Sequence, residues 1–571
     1  MGYTSNLFKK NGYILIFTVL TVLIYFVLYI TRIADDNRLT SWQWVFNNAN
    51  VIEIFPILLA GFIPAYLLSK VSFSGRYSII FLFFISYVIA ALFWKEPEVI
   101  VDASRYFTQA KYLEVYGIEK FIREWGRDIN VWTDMPLLPF LYGLIFRFFG
   151  EVRAYIQIFI TFLFAMTVVL TYLIGKDLWD EEIGFSAGLL LLGMPYLLTQ
   201  VPLMLVDVPA MFFLTLSVFT YIRALKHGGM WLCYSSVAVF LAFFSKYSAW
   251  LMLSVLPVIF FVYLKIPLSS KKGISGNERR TMSHRSALVV LAAALLIGVI
   301  FWLKYDIFLG QIKLLLDYQQ PGLKRWSESF VSTFLFQIHP FITAAALYSI
   351  YAAFLKRDLK YLIIIWLLFL AAVLQIKRIR YIIMAFPMLA LMASYGLQEI
   401  KDRRIIRFIS LYAIIFSTSI AFFAYLPFLN STSPANIKNA GAFLNSLDAT
   451  DVEAFTVRTG NSDVNPAVSV PILDLFTAKK IRYYYDTGSS RLFSEIEKSP
   501  LRFTWEYKNY RYYNGDNKFF AEAGAVVIIS DGLGQAIPID IKQKIKKYRN
   551  SASFDVSEGI FRYTPVVKIY Y

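Results

Sequence analysis

The chain has 571 residues, 58% of them hydrophobic and 17% charged, with a formal net charge of +17. Soluble globular chains hold ~25% charged and ~45–50% apolar residues, so a soluble globular protein is excluded, and the surplus Lys and Arg fit cytoplasmic loops of a membrane protein better than a nucleic-acid surface. Cys233 is the only cysteine and His227, His284 and His339 share no ligand-like spacing, which excludes an internal disulfide and a thiolate metal cluster.

The first apolar run, 13–30, carries no charge and is near the ~20 residues that cross a bilayer. Thr31-Arg32-Ile33-Ala34-Asp35-Asp36 follows it in place of a small-residue cleavage site, so it reads as a retained helix rather than a signal peptide. Helices are the expected spanning elements, because an open strand leaves backbone groups unpaired in lipid. Further segments are expected at 51–68, 79–93, 154–174, 184–201, 208–222, 231–244, 247–264, 287–303, 330–355, 361–376, 381–397 and 408–426.

Basic residues favour the cytoplasmic side. Lys9 and Lys10, the loop from Lys265 to Arg285 with Lys271, Lys272, Arg279 and Arg280, then Lys356, Arg357 and Lys360, and Lys401, Arg403 and Arg404 all fall on one side when the segments alternate. The N-terminus is then cytoplasmic, and both the loop 95–151 and the chain after 426 are extracytoplasmic. Within that loop, 104–115 and 136–149 are apolar but short, and read as helices lying at the interface.

Near Asn430 the apolar runs shorten and Gly, Asp, Asn and Tyr become frequent. Alternation at 451–457 and 525–529 predicts strands, and 539–548 a basic helix. The tyrosines Tyr483, Tyr484 and Tyr485, and Tyr510, Tyr512 and Tyr513, suit either sugar stacking or the packing of a small core. The expected fold is an all-α polytopic membrane domain of about 13 transmembrane helices followed by a small extracytoplasmic α/β or α+β domain. The divisions are N-terminal helices 1–94, an outer loop 95–153, a transmembrane core 154–427 and a soluble domain 428–571.

Ionisable residues near apolar segments carry information because burying them in hydrocarbon is costly. Asp102, Asp134, Asp207 and Lys246 come from separate parts of the chain and are all expected at the outer ends of segments. Helix capping is the competing reading, most of all for Asp207 before Val208-Pro209. Lys377, Arg378, Arg380 and Tyr381 form a basic cluster on the same side, against the usual charge bias. A phosphate ligand explains it through the donor fork of Arg, and interface anchoring is the alternative.

These residues carry a resemblance. An Asp-x-x-x-Tyr step (Asp102, Tyr106) is followed by a helix ending near Gly117, then Trp125, a Pro-Leu step (Pro136, Leu137) and Val152-Arg153-Ala154. Pro195, Asp207, Lys246 and an Arg-Tyr…Pro step (Arg380, Tyr381, Pro387) complete the order. From Asp102 to about Arg380 the chain resembles the GT-C glycosyltransferases, in the branch of protein O-mannosyltransferases and lipid A aminoarabinose transferases. The match is specific for the superfamily and not for a substrate.

The resemblance implies a sugar donor on polyprenyl (dolichyl or undecaprenyl) phosphate and a protein, lipid or glycan acceptor. It makes Asp102 the catalytic carboxylate and Asp207 its helper. Lys246 with Arg378 or Arg380 would contact the lipid phosphate, and Arg105, Tyr106, Asp134 and Tyr381 would complete the substrate site. No cofactor is expected, and a divalent metal is not demanded by any motif. Met135 stands where relatives often have Lys or Pro, and the helices before Asp102 outnumber the single one common in the family, so residues 1–70 read as an addition. The rival readings are a polytopic transporter, whose charges belong near the midplane, and a ligase or polymerase of lipid-linked glycans.

Overall fold

The computed structural model describes residues 2–47, 49–71, 75–266, 276–321, 328–457, 464–483, 501–507, 510–513, 523–556, 558 and 564–571. Lys271, Lys272, Tyr484 and Tyr485 lie outside the described residues.

Among the described residues, eight helices are long and apolar enough to cross a membrane: Gly12–Ile30, Val51–Ser69, Arg153–Leu178, Asp207–His227, Ser248–Lys265, Gly276–Leu303, Ile379–Leu397 and Arg403–Ser431. The other expected segments fall on shorter helices, Arg76–Ala91, Met230–Ser245, Pro340–Lys356 and Tyr361–Val373, and on the pair Glu181–Leu192 and Pro195–Gln200. That pair is broken because Pro195 lacks an amide donor and drives Met194 out of the helical region, to φ −112° and ψ 100°. One expectation is corrected. The helix expected from 287 begins at Gly276, so Arg279, Arg280 and Arg285 lie on helix rather than loop. Arg285 reaches the end of Asp207–His227 and donates to the carbonyls of Leu225 and Lys226 at 2.7 and 2.9 Å, where a helix terminus leaves carbonyls unpaired.

Burial separates an inner from an outer ring. Asp207–His227 and Ile379–Leu397 are each 89% buried by the rest of the chain, whereas Gly276–Leu303 is 11% buried and Val51–Ser69 22%. The inner helices therefore meet protein and the outer ones present apolar side chains to lipid. Close packing inside depends on small residues: a Cβ added to Gly184 would collide with the Tyr172 carbonyl, and one on Gly396 with the Ala345 carbonyl.

At one end of the bundle lie the short helices Ile100–Tyr116, Ile118–Glu124 and Leu137–Phe149. The first and third end at Gly117 (φ 89°) and Gly150 (φ 98°), conformations that glycine adopts without strain. Ile100–Tyr116 starts four residues before the expected 104. That places Asp102 in its first turn, where the helix dipole favours a carboxylate. One face of this helix (Tyr106, Phe107, Ala110) packs on the membrane core, and Ala103 packs into the C-terminal domain.

The C-terminal domain holds strands β1 (Asp451–Val457), β2 (Lys480–Tyr483), β3 (Ala525–Ser530), β4 (Ser551–Phe554) and β5 (Val566–Tyr570). They form one sheet in the order β2-β1-β3-β5-β4, parallel across β2-β1-β3 and antiparallel across β3-β5-β4. The expected basic helix is present as Ile539–Ile545. The described tyrosines pack rather than face solvent. Tyr483 and Tyr513 are buried, Tyr510 and Tyr512 stack at 5.3 Å, and Tyr513 donates to Asp474 at 2.8 Å. Asp474 in turn takes Lys111 at 2.5 Å, and Lys111 also reaches Glu151 at 3.1 Å, so this cluster docks the sheet domain on the helix that carries Asp102.

Candidate active site

A cavity of about 320 Å³ opens between the membrane core and the C-terminal domain. Eight of the ten residues singled out by the sequence line it, Asp102, Arg105, Tyr106, Asp134, Lys246, Arg378, Arg380 and Tyr381, whereas Asp207 and Lys377 do not. Asp207 lies behind the wall, bonded to two residues that line it.

Charges alternate along one chain of contacts. Asp134 pairs with Arg105 at 2.8 Å, and Arg105 reaches Asp102 at 3.4 Å. Asp102 bonds to Arg380 Nη1, and the other edge of that guanidinium meets Asp207 at 3.0 Å. Asp207 closes the chain on Lys246 Nζ at 2.6 Å. Planar guanidinium groups suit this bridging of two carboxylates. The three acids are not equally reachable: side-chain exposure is 20% for Asp102, 4% for Asp134 and 1% for Asp207. Asp102 is therefore the carboxylate open to a ligand, and Asp207 holds Arg380 and Lys246 in place.

Local structure explains these positions. Lys246 follows the last residue of Met230–Ser245 in an extended conformation (φ −160°, ψ 139°), which turns its side chain out of the helix row. Arg380 lies in the first turn of the short helix Ile379–Ile382. Asp134 is held from three sides, by Arg105, by Gln109 at 3.2 Å and, through its backbone carbonyl, by Gln311 at 2.8 Å.

Burial raises the proton affinity of Asp102, but the nearby Arg380 and Arg105 charges outweigh it and hold the carboxyl well below the usual range. Asp134 goes the other way. Burial pushes it up to about 6, with the Asp102 charge adding to the rise and Arg105 opposing it. One arm of the cavity stays ionised over ordinary pH while the other titrates.

Several site residues were not anticipated. Arg153 ties the strand-like turn before Asp102 to the core, donating to Glu98 at 3.0 Å, the Trp94 carbonyl at 2.9 Å and the Glu96 carbonyl at 2.6 Å. Phe503, from the C-terminal domain, lies 4.7 Å from the Arg105 guanidinium carbon. Arg38 lines the cavity from the N-terminal region, and Glu328 pairs with Arg378 at 3.8 Å. The Val-Arg-Ala step pointed at Arg153, whereas Phe503, Arg38 and Glu328 carry no local pattern. Met135 lines the wall and offers no charge there. Among the described residues no group of three or more His, Cys, Asp or Glu could hold a metal ion.

The family model of dolichyl-phosphate-mannose-protein mannosyltransferase matches residues 134–305. No curated protein matches the sequence. Among solved structures, ArnT from Cupriavidus metallidurans in the apo state is similar with a TM-score of 0.54 and 10% identity, covering 86% of this chain and 97% of that one. ArnT from the same organism bound to undecaprenyl phosphate gives a TM-score of 0.51 with the same identity and coverage. The helical membrane bundle followed by a terminal sheet domain thus shares the fold of ArnT, and residues 134–305 are similar to the mannosyltransferase family.

Proposed function

We propose that this protein transfers a sugar from a polyprenyl phosphate to a protein, lipid or glycan acceptor, with inversion, on the extracytoplasmic face of the membrane. The observation that carries this reading is the alternating ionic chain around a cavity that is walled partly by apolar membrane helices and partly by the C-terminal domain. Apolar walls suit an isoprenoid chain, and the cations suit its phosphate. The bound undecaprenyl phosphate in ArnT, which shares the fold, supports this donor class. The charge bias of the loops supports a cytoplasmic N-terminus and an extracytoplasmic C-terminal domain.

In this mechanism an acceptor hydroxyl or amine attacks the anomeric carbon from the face opposite the phosphate. The new bond forms as the carbon–oxygen bond to phosphate breaks, and the acceptor proton passes to Asp102. The polyprenyl phosphate leaves as an anion stabilised by Lys246, Arg378 and Arg380. Asp102 is a weak base because two guanidinium groups hold it ionised. That is enough for a reaction whose leaving group is already good, since the acceptor becomes acidic only as the new bond forms. The C-terminal domain supplies Val464, Leu501 and Phe503 to the cavity wall and thereby shapes the acceptor side.

The test is transfer of label from radiolabelled sugars on polyprenyl phosphate, in membranes holding the full chain, to an acceptor extract. Consumption of none of the donors, with acceptor present, would sink the transferase reading and make transport the next assay.

Asp134 predicts the acid limb of the pH profile. Its folded pKa of about 6 lies above the ordinary 3.8, so the carboxyl takes up a proton as pH falls through 6. Arg105 is then released onto Asp102, which becomes a poorer base. Activity should fall below pH 6, and Asp134→Asn should show a lower, flat profile across that range. By linkage the same group makes the fold less stable as pH rises from 3.8 to about 6. An unchanged acid limb in the variant would assign that limb to another group.

A further inference from the structure

The loop between the first two apolar helices is built around Asp35. This buried carboxylate accepts from the Trp42 amide at 2.7 Å, the Asn37 amide at 3.1 Å, Gln337 Nε2 at 3.0 Å and the Ser332 hydroxyl. Asn37 continues the scaffold. Its carbonyl oxygen accepts from the amides of Leu39 and Thr40 at 2.9 and 2.8 Å, and its amide nitrogen donates to Glu328 at 3.2 Å. Four donors on one buried carboxylate, and a buried amide used on both sides, mark a specified conformation rather than a loose connection.

Glu328 is where this scaffold meets the cavity. Besides Asn37 it takes the Ile379 amide at 3.3 Å and pairs with Arg378 at 3.8 Å. Thr333 adds a second tie to the same segment, donating to the Lys377 carbonyl at 2.6 Å. The backbone on both sides of Arg378 is therefore held, on one side by Glu328, which itself grips the N-terminal loop, and on the other by Thr333, whose neighbour Ser332 donates to Asp35 of that loop. Arg38, Leu39 and Thr40 line the same cavity as Arg378.

We infer that Glu328 is a positioning residue for the donor phosphate, and that with Asn37 it makes the N-terminal loop part of the donor site by fixing where Arg378 stands. The inference rests on the polyprenyl-phosphate reading above. It also changes the status of residues 1–70, which in sequence resemble an addition to the family core.

The sign of one substitution separates positioning from simple electrostatics. Glu328→Gln removes a negative charge beside the phosphate site, so charge alone predicts tighter phosphate binding. Positioning predicts weaker binding, because the gap across Arg378, Ile379 and Asn37 loses its ionic partner. The measurement is binding of tritiated undecaprenyl phosphate to the purified full-length protein, with undecaprenol as the uncharged control. Glu328→Gln and Asn37→Ala should each weaken undecaprenyl phosphate binding about tenfold and leave undecaprenol unchanged, within the range seen for coupled neighbours. Glu328→Gln combined with Arg378→Ala should be no weaker than Arg378→Ala alone. Unchanged or tighter binding in both single variants, or additive losses in the double variant, would overturn the inference. Asn37→Ala alters no charge and carries the test alone if Glu328→Gln does not fold. Wild-type protein that binds undecaprenyl phosphate and undecaprenol equally would instead overturn the donor reading itself.

Discussion

Asp102→Asn should lower sugar transfer by about 10³-fold while the protein still folds and inserts, an effect in the range of a positioned general base. The geometry explains why folding should survive. Arg105 keeps Asp134 at 2.8 Å and Arg380 keeps Asp207 at 3.0 Å, so neither guanidinium is stranded. Asn keeps the shape and one oxygen acceptor but cannot take a proton from the acceptor. Donor binding should be equal or tighter, since one negative charge near the phosphate site is gone. The assay is initial transfer rate from a labelled polyprenyl-phosphate sugar, beside thermal unfolding in detergent and undecaprenyl phosphate binding. A variant that folds, binds and still transfers at a tenth of the wild-type rate or more would remove Asp102 from the base role.

Arg380→Ala should be the second most damaging change, and it should act on stability as well as rate. Arg380 joins Asp102 to Asp207. Removing it leaves Asp207, whose side chain is only 1% exposed, with Lys246 alone, and Asp102 with the longer Arg105 contact alone. Breaking a buried pair by deleting one partner costs on the order of 3–5 kcal/mol, which should appear as a lower unfolding temperature. Transfer should fall ~10²–10³-fold from loss of one preorganised donor to the leaving phosphate. Arg380→Lys is the informative companion: it keeps the charge but cannot reach both carboxylates with a planar fork. The lysine variant should recover most of the stability and little of the rate. Wild-type rates in Arg380→Lys would show that a single charge is enough and that bridging is not needed.

The membrane domain was legible because hydrophobic length is a local property: a run such as 13–30 declares a spanning helix with no reference to the rest of the chain. The strand at 451–457 was legible for the same reason, from alternation, whereas 525–529 is a continuous apolar run buried along its whole length, so the expected alternation is not what marks it. The start of the helix that carries Asp102 was not legible, since Ile100 and Val101 read equally well as loop, and Val101 and Ala103 pack against the C-terminal domain only in the folded chain. Nor was the helical reach back to Gly276, where charged residues suggested a loop and Arg285 instead closes a neighbouring helix end.

For the site, residue type and position relative to a helix end singled out Asp102, Asp134, Asp207, Lys246 and Arg380 as candidates, because a charge at the edge of an apolar segment needs a reason wherever it occurs, and the folded chain brings them into one ionic chain. What the sequence by itself determined is that the chain is a multi-pass membrane protein with a terminal sheet-containing region, and which charged groups stand at the ends of its apolar segments. The tertiary structure alone decided the pairings: which acid is exposed, which guanidinium bridges, and that Glu328 joins Arg378 to Asn37 from a distant part of the chain. Ion pairs and hydrogen bonds act over a few ångströms in space, and residues 37 and 378 acquire that proximity only after the helices between them have packed.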